Sequence, residues 1–493
     1  MKFNRSSGIL LHISSLPGKY GIGSLGKEAF KFIDFLESSG QKIWQICPTG
    51  PTGYGDSPYQ TFSAFAGNPL FIDLEKILED GFLSNSDINI EMNFPRDKVD
   101  FGKVIEFKNK IFRKAFLNFQ KNIPLDFYTF CENETDWLND YALFMSLKKY
   151  FSGKPWNEWD EDIKLRKPES TSKYEKLQKE EILYHKFLQY LFFKQWKEVH
   201  DYARSIGIKI FGDIPIYIAF DSSDAWSNPE YFQFDENKNP IQVSGCPPDD
   251  FCKLGQLWGN PLYNWQKHEQ EDFVWWIKRF RKTLEIVDYV RIDHFIGFVH
   301  YYAIPAENKT AEIGEWLPGP GKKLFEAVQN ELGDLPIIAE DLGLVTEKVV
   351  ELREFFQFPG MRLLQFAFGG DENNPFFPEN YPENCVVYTG THDNDTTEGW
   401  YQNIPDFVKD HLHRYLNYDG KEKISWKLIE VAWKSKADLA IIPMQDFLGL
   451  DNSARFNSPG SVGGNNWKWR VMKEQLSDEL ANKIKKLTVE SDR

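Results

Sequence analysis

Eight short apolar runs, alternating with helical stretches and long loops, constrain this chain more than any other feature. They span residues 8–14, 42–47, 208–218, 289–295, 336–340, 360–368, 385–391 and 439–443. Each is rich in Ile, Val, Leu or Phe and reads as a strand buried on both faces. Helical spacing fills many of the gaps, as at 27–40, where Phe30, Ile33, Phe35 and Leu36 share a face and Gly40 is placed to stop the helix. Strand alternating with helix argues for a parallel sheet. Eight repeats argue for a closed (β/α)8 barrel rather than an open doubly wound sheet. Residues 70–205 break the rhythm with helical patterns alone, including 135–150 and 174–205, and read as a large helical insertion after the second strand. The expected organisation is one α/β catalytic domain over 1–493, a (β/α)8 TIM barrel with that insertion and with long loops at its C-terminal face. Residues 444–493 read as loop and helix, so no separate β-rich C-terminal domain is expected.

The formal charge of −15 argues against nucleic-acid and anionic-membrane partners, which need basic patches. Five cysteines, odd in number and scattered, show neither zinc spacing nor a disulfide framework. No run of about 18 apolar residues occurs, and residues 1–8 carry no apolar signal core. A cytoplasmic, reducing setting is the expectation. No Gly-x-Gly-x-x-Gly or Gly-Lys-Ser/Thr pattern follows a strand, so no nucleotide cofactor is expected. Aromatic residues make up 16% of the chain. Those in loops suit flat apolar ligand faces, of which sugar rings are one kind.

Chemistry in such barrels sits at the C-terminal ends of the strands. There the chain places Asp213, Asp293, Glu340, Asp341 and Asp393, with His294 and His392 beside them. On a strand of period two, Arg291 and Asp293 share one face while Val290 and Ile292 share the other. An Arg so placed would favour the ionised carboxylate. Taken alone, the pair reads as a structural ion pair; convergence of three carboxylates on one mouth argues for chemistry. Two chemistries remain open at this point, divalent-metal binding and glycosyl transfer. The adjacent Asp249 and Asp250 lie in a Pro-rich loop that lacks the spacing of a calcium loop, and no metal site is expected.

The stretches Asp213-Ile-Pro-Ile, Arg291-Ile-Asp-His, Ala339-Glu-Asp-Leu-Gly and Gly390-Thr-His-Asp-Asn resemble the four short regions of the α-amylase superfamily. The loops Gly53-Tyr-Gly-Asp-Ser-Pro-Tyr-Gln, Gln256-Leu-Trp-Gly-Asn-Pro-Leu-Tyr and Gly463-Gly-Asn-Asn-Trp-Lys-Trp-Arg resemble the amylomaltases, the 4-α-glucanotransferases of glycoside hydrolase family 77. The resemblance implies transfer of α-1,4-glucan segments to a sugar 4-hydroxyl, on maltooligosaccharides and longer glucans, without a cofactor. It implies Asp293 as nucleophile, Glu340 as general acid and base, and Asp393 as transition-state stabiliser. It implies that Arg291 keeps Asp293 ionised and that Asp213, His294 and His392 bind hydroxyls. Tyr59 would stack on the donor sugar and Trp258 would line the acceptor side. Ser57, Asp249, Gln256 and Asn466 are implied as further substrate contacts, and Tyr54 as a contact away from the centre. Asp395 is a decoy, since the motif aligns the Asp directly after His392.

An α-glucan hydrolase of the same superfamily is the nearest alternative, and a glucan-binding protein on an inactive barrel is a more distant one. Transfer and hydrolysis share an intermediate and differ in whether water reaches it. Loops 244–259 and 451–466 are the expected covers, and shortening the first should raise the ratio of hydrolysis to transfer.

Overall fold

The computed structural model describes residues 3–89, 93–248 and 253–493. Twelve strands occur among them: β1 Ser6–Leu10, β2 Ile43–Gln45, β3 Lys209–Pro215, β4 Gln242–Cys246, β5 Gln256–Pro261, β6 Tyr289–Asp293, β7 His300–Pro305, β8 Glu315–Pro318, β9 Ile337–Ala339, β10 Gly360–Leu363, β11 Cys385–Tyr388 and β12 Leu439–Pro443. Eight of them form one parallel sheet in the order β10-β11-β12-β1-β2-β3-β6-β9. The Ala339 N–H donates to the Pro359 carbonyl at 2.9 Å, across the gap between β9 and β10, and so brings the two ends of the sheet together. Strand follows strand around the barrel in chain order, as a β/α repeat requires.

Period-two alternation divides the strand side chains between two cores. Leu10, Ile43, Phe211, Ile338, Met361, Leu363, Val386, Tyr388, Leu439 and Ile441 pack together inside the barrel. Ile9, Trp44, Ile210, Val290, Ile292, Ile337, Val387, Ala440 and Ile442 point outward and join the larger core under the helices. Phe211 and Asp213 share the inner face of β3, and Tyr289, Arg291 and Asp293 share that of β6. The barrel is therefore apolar at its lower layers and charged at its upper rim.

Helix Lys27–Ser38 buries Ala29, Phe32, Ile33, Phe35 and Leu36. It stops where Gly40 takes a φ of 75°, a turn that a side chain would strain. Between β2 and β3 the chain is helical from Leu74–Glu79 through Phe101–Phe119 and Thr135–Tyr150 to Lys179–Ser205. The last of these lies against β3 and against Lys27–Ser38. Among the described residues no strand follows β12, and no helix is long and apolar enough to cross a membrane.

From the sequence, 221–259 reads as one long loop, 266–284 as helical and 312–332 as loop and helix, and the structure differs in each. Residues 221–259 are not simply a loop. They hold β4 and the start of β5, which build a second sheet in the antiparallel order β5-β4-β7-β8. Gly245 lets β4 lie close to β5, because a Cβ there would meet the Gln256 carbonyl oxygen at 2.3 Å. The helical pattern over 266–284 is two helices, Trp265–Gln270 and Val274–Ile286, broken where Asp272 and Phe273 adopt positive φ. The stretch 312–332 contains β8 before its helix, Lys322–Leu332.

Candidate active site

The charged rim is assembled by register. Ladder pairing sets Asp213 beside Arg291 on neighbouring strands. From there the guanidinium reaches both carboxylates: Nη1 donates to Asp213 Oδ2 at 2.5 Å and Nη2 to Asp293 Oδ1 at 2.7 Å. Arg291 and Asp213 are buried, whereas the Asp293 side chain is 29% exposed toward the mouth. Burial raises the Asp213 carboxyl to about 6 even though Arg291 pulls it down. On the next strand, β9, Ala339 pairs with Ile292, so Glu340 stands level with Asp293 across one strand spacing.

Glu340 is buried, and burial pushes its carboxyl up to about 8 against the opposing pull of Arg291; the Asp293 charge adds to the rise. Two backbone groups fix its orientation. The His294 N–H donates to Oε2 at 2.7 Å and the Leu342 N–H to Oε1 at 2.8 Å. His294 can aim its N–H there because its backbone is left-handed, with a φ of 53°. Its ring lies edge-on to Trp258, with centroids 4.8 Å apart, and near Tyr217. Burial lowers its pKa to about 4, so the ring is neutral, and its Nε2 is buried with no partner in the chain.

Asp393 follows β11. Its side chain is 40% exposed and lies 3.4 Å from His392 Nε2. Burial favours the protonated acid, but His392, Asn457 and Arg291 together outweigh it and hold the carboxyl well below its usual range. The converse holds for His392: burial lowers its pKa, yet the Asp393 contact leaves it raised. Tyr59 stacks on the His392 ring, 5.1 Å between centroids and 16° between planes, and donates its hydroxyl to Asp213 Oδ2 at 2.9 Å. Tyr59 thus ties the β3 side of the mouth to the β11 side.

Asp213, Arg291, Asp293, His294, Glu340, His392, Asp393, Tyr59 and Trp258 form one connected group. The others lie around it. Ser57 Oγ accepts from the Tyr59 N–H at 3.2 Å and so shapes the loop that carries that ring. Gln256 Oε1 accepts from Trp258 Nε1 at 3.1 Å. Asn466 uses its amide within its own loop, accepting from the Ser458 N–H and donating to Ser461. Tyr54 projects outward, 77% exposed. Asp249 lies outside the described residues, as do Asp250 and Cys252 of the same loop. Asp395 caps Thr396 and accepts from Asn452, away from the group. Asp341 is a barrel brace between Arg353 and the Met361 N–H.

Sequence reasoning missed two residues. Asn457 Nδ2 donates to Asp393 Oδ1 at 2.6 Å, and Arg455 Nη2 donates to the Asp393 carbonyl at 2.8 Å. Both reach the site from a loop about sixty residues further along the chain, and no local pattern announces that contact. Among the described residues, no group of three or more His, Cys, Asp or Glu is arranged to hold a metal ion.

Chemically, the rim offers a salt-bridged carboxylate, a carboxyl kept protonated near neutral pH one strand away, and a third carboxylate held ionised. Environments that push neighbouring carboxyls apart in this way divide the roles of acid and base. Residues 11–475 match a family model described as 4-alpha-glucanotransferase. The chain is 50% identical to a 4-alpha-glucanotransferase of Clostridium butyricum over 482 residues, covering 97% of this chain and 99% of the relative. It is 45% identical to that of Thermus thermophilus over 504 residues, covering all of both chains. Among solved structures, it superposes on the amylomaltase from Streptococcus agalactiae in complex with acarbose with a TM-score of 0.97 at 41% identity, over 99% of each chain.

Proposed function

Because this chain belongs to the 4-alpha-glucanotransferase family, glycoside hydrolase family 77, we propose that it transfers its glucan segments by retaining double displacement through Asp293, Glu340 and Asp393. Arg291 engages Oδ1 of Asp293, and Oδ2 is the oxygen that attacks the anomeric carbon of the donor glucose. As the glycosyl ester forms, the C1–O4 bond breaks and Glu340 gives its proton to the departing O4. The 4-hydroxyl of an acceptor sugar then attacks C1, its proton passes to Glu340, and the ester to Asp293 breaks. Two inversions restore the α configuration.

The observation that carries this reading is the pairing of a salt-bridged Asp293 with a Glu340 raised to about 8 on the adjacent strand. Retaining enzymes hold their two carboxyls about 5–5.5 Å apart, and neighbouring strands lie about 4.8 Å apart, so one-strand placement suits the covalent route. Asp393, ionised beside His392, is placed to stabilise the cationic sugar and bind its hydroxyls. The unpartnered Nε2 of His294 and Oδ1 of Asp213 are groups for further hydroxyls. Tyr59 supplies a ring face on the donor side and Trp258 one on the acceptor side. Maltooligosaccharides and longer α-1,4-glucans are the proposed donors and acceptors, in a cytoplasmic setting that the odd, scattered cysteines support.

Incubation with maltotriose tests the reading. Glucose plus a ladder of longer oligosaccharides at constant total reducing ends is the expected result, lost in Asp293→Asn. Reducing ends that climb without longer products would mean hydrolysis.

A further inference from the structure

The chain has sixteen tryptophans. Trp316 is the one found among the large apolar side chains left exposed, at 39%. It sits on β8, the edge strand of the antiparallel sheet. Register places it in a row with Tyr302 of β7, Gly245 of β4 and Leu257 of β5. Partners directly opposite in such a ladder point to the same face. The small cluster of Val243, Tyr302 and Ile304 shares that face, whereas Tyr301 and Ala303 turn inward to the main core. Trp316 therefore stands on the outward side of the sheet.

Its ring is held in place. It meets His300 edge-on, with centroids 5.0 Å apart at 73°, and Tyr302 at 5.3 Å. His300 begins β7, which follows the Phe295–Phe298 turn immediately after His294. The His300 ring lies beside the backbone of Leu344, four residues beyond Glu340. The platform is thus tied to the two segments that carry Asp293 and Glu340. Leu344, 60% exposed, extends the apolar surface, and Nε2 of His300 is buried without a partner in the chain. A fixed, exposed aromatic face continued by apolar surface is what a sugar ring stacks on.

We propose that Trp316, with His300 and Leu344, is an outer binding platform for a glucose ring of the α-1,4-glucan, on the side of the cleaved bond where Glu340 protonates the departing sugar. The proposal rests on the assignment of Asp293 and Glu340 as the bond-cleaving pair. The occupant follows from the substrate. A glucan chain longer than the centre must leave the mouth along a surface, and this surface continues from the loop that carries the acid. Trp316 presents a flat face to the ring, with His300 fixing it from the side and the exposed Leu344 extending it.

The test uses the full chain carrying Trp316→Ala or Trp316→Phe, with KM for maltotriose and for amylose and with mobility in amylose-containing native gels. Loss of an aromatic contact is worth about 3- to 10-fold in binding. The expected result is a KM rise of about that size for amylose relative to maltotriose in Trp316→Ala, with faster migration through the amylose gel, and recovery of most of the difference in Trp316→Phe. Equal effects on both substrates, or none on either, would overturn the platform. Asp293→Asn separates the two ideas. Activity surviving in that variant would remove the assignment of the centre, while the amylose-to-maltotriose ratio still decides the platform.

Discussion

Replacing Arg291 by Lys tests how the rim works. The guanidinium is a fork, one prong on Asp213 Oδ2 and the other on Asp293 Oδ1, inside a barrel where it is only 3% exposed. Lysine keeps the charge but is a single point on a flexible stem, and it cannot hold two carboxylates in one plane. One charge-assisted hydrogen bond is lost, worth about 1.5–3 kcal/mol. If that loss falls on the positioning of Asp293, transfer slows by roughly 10- to 150-fold, at 1.36 kcal/mol per tenfold. The fold survives, because both carboxylates still face a cation. Arg291→Met is different in kind. It leaves the buried Asp213, with the part-exposed Asp293 beside it, without a counter-charge, which costs about 3–5 kcal/mol of stability. Initial rates of glucose release from maltotriose give the first effect, and denaturant unfolding monitored by tryptophan fluorescence gives the second. A Lys variant within threefold of the wild-type rate would refute the argument that the fork positions Asp293.

Three further outcomes follow from the same geometry. Glu340 must carry a proton to act as the acid, and its carboxyl is raised to about 8, so kcat/KM for maltotriose falls as pH rises through that value. Since the folded carboxyl lies above its unfolded value, the stability this group contributes also declines over the window from about 4.3 to that point, as thermal melts across pH would record. Asn457→Ala removes the 2.6 Å hydrogen bond to Asp393 and lowers kcat/KM by roughly 10- to 150-fold, from about 1.5–3 kcal/mol for a bond to a charged group; no change in the kinetics with the fold intact would refute it. Gly8→Ala sets a Cβ 2.4 Å from the Ile43 carbonyl oxygen between β1 and β2, and denaturant melts should show a loss of about 1–3 kcal/mol.

The barrel is legible in the sequence because its strands are apolar on both faces. The run 439–443 is observed as Leu439–Pro443, end for end. Other runs are read too long: 208–218 forms Lys209–Pro215 and 385–391 forms Cys385–Tyr388. In the first, apolar character persists past the end of the ladder, in the buried Ile216, Tyr217 and Ile218; in the second, the residues beyond the strand are the Thr-Gly-Thr that lead to His392. The contact between Arg291 and Asp293 is readable from period two alone. The antiparallel sheet is not, because Gly245, Pro247, Pro248 and Gly255 make the whole stretch look like loop chemistry, and β4 is strand only by pairing with β5 on one side and with β7, more than fifty residues on, at the other. Asn457 escapes for the same reason. Nothing within its own loop distinguishes an asparagine that caps a turn from one that reaches Asp393.

The left-handed residue at His294 shows how few choices build this centre. Continuing β6 in extended form would carry the chain out of the barrel mouth. At a φ of 53° the chain instead folds over into the Phe295–Phe298 turn. For a residue other than glycine that conformation costs of order 1–3 kcal/mol. Three contacts offset it. The His294 N–H meets Glu340 Oε2, the ring packs edge-on to Trp258, and the Phe295 N–H donates to the Glu340 carbonyl at 3.1 Å. One backbone turn therefore sets the end of the strand that carries Asp293, the orientation of Glu340 and the place of Trp258 together. A side chain at 294 that loses the Trp258 contact would leave the strain in place without that offset, so the loosening would be felt at Glu340 before it was felt in the barrel. Strain of this kind belongs where the surrounding structure over-determines it, and here the surrounding structure is the proposed catalytic machinery itself.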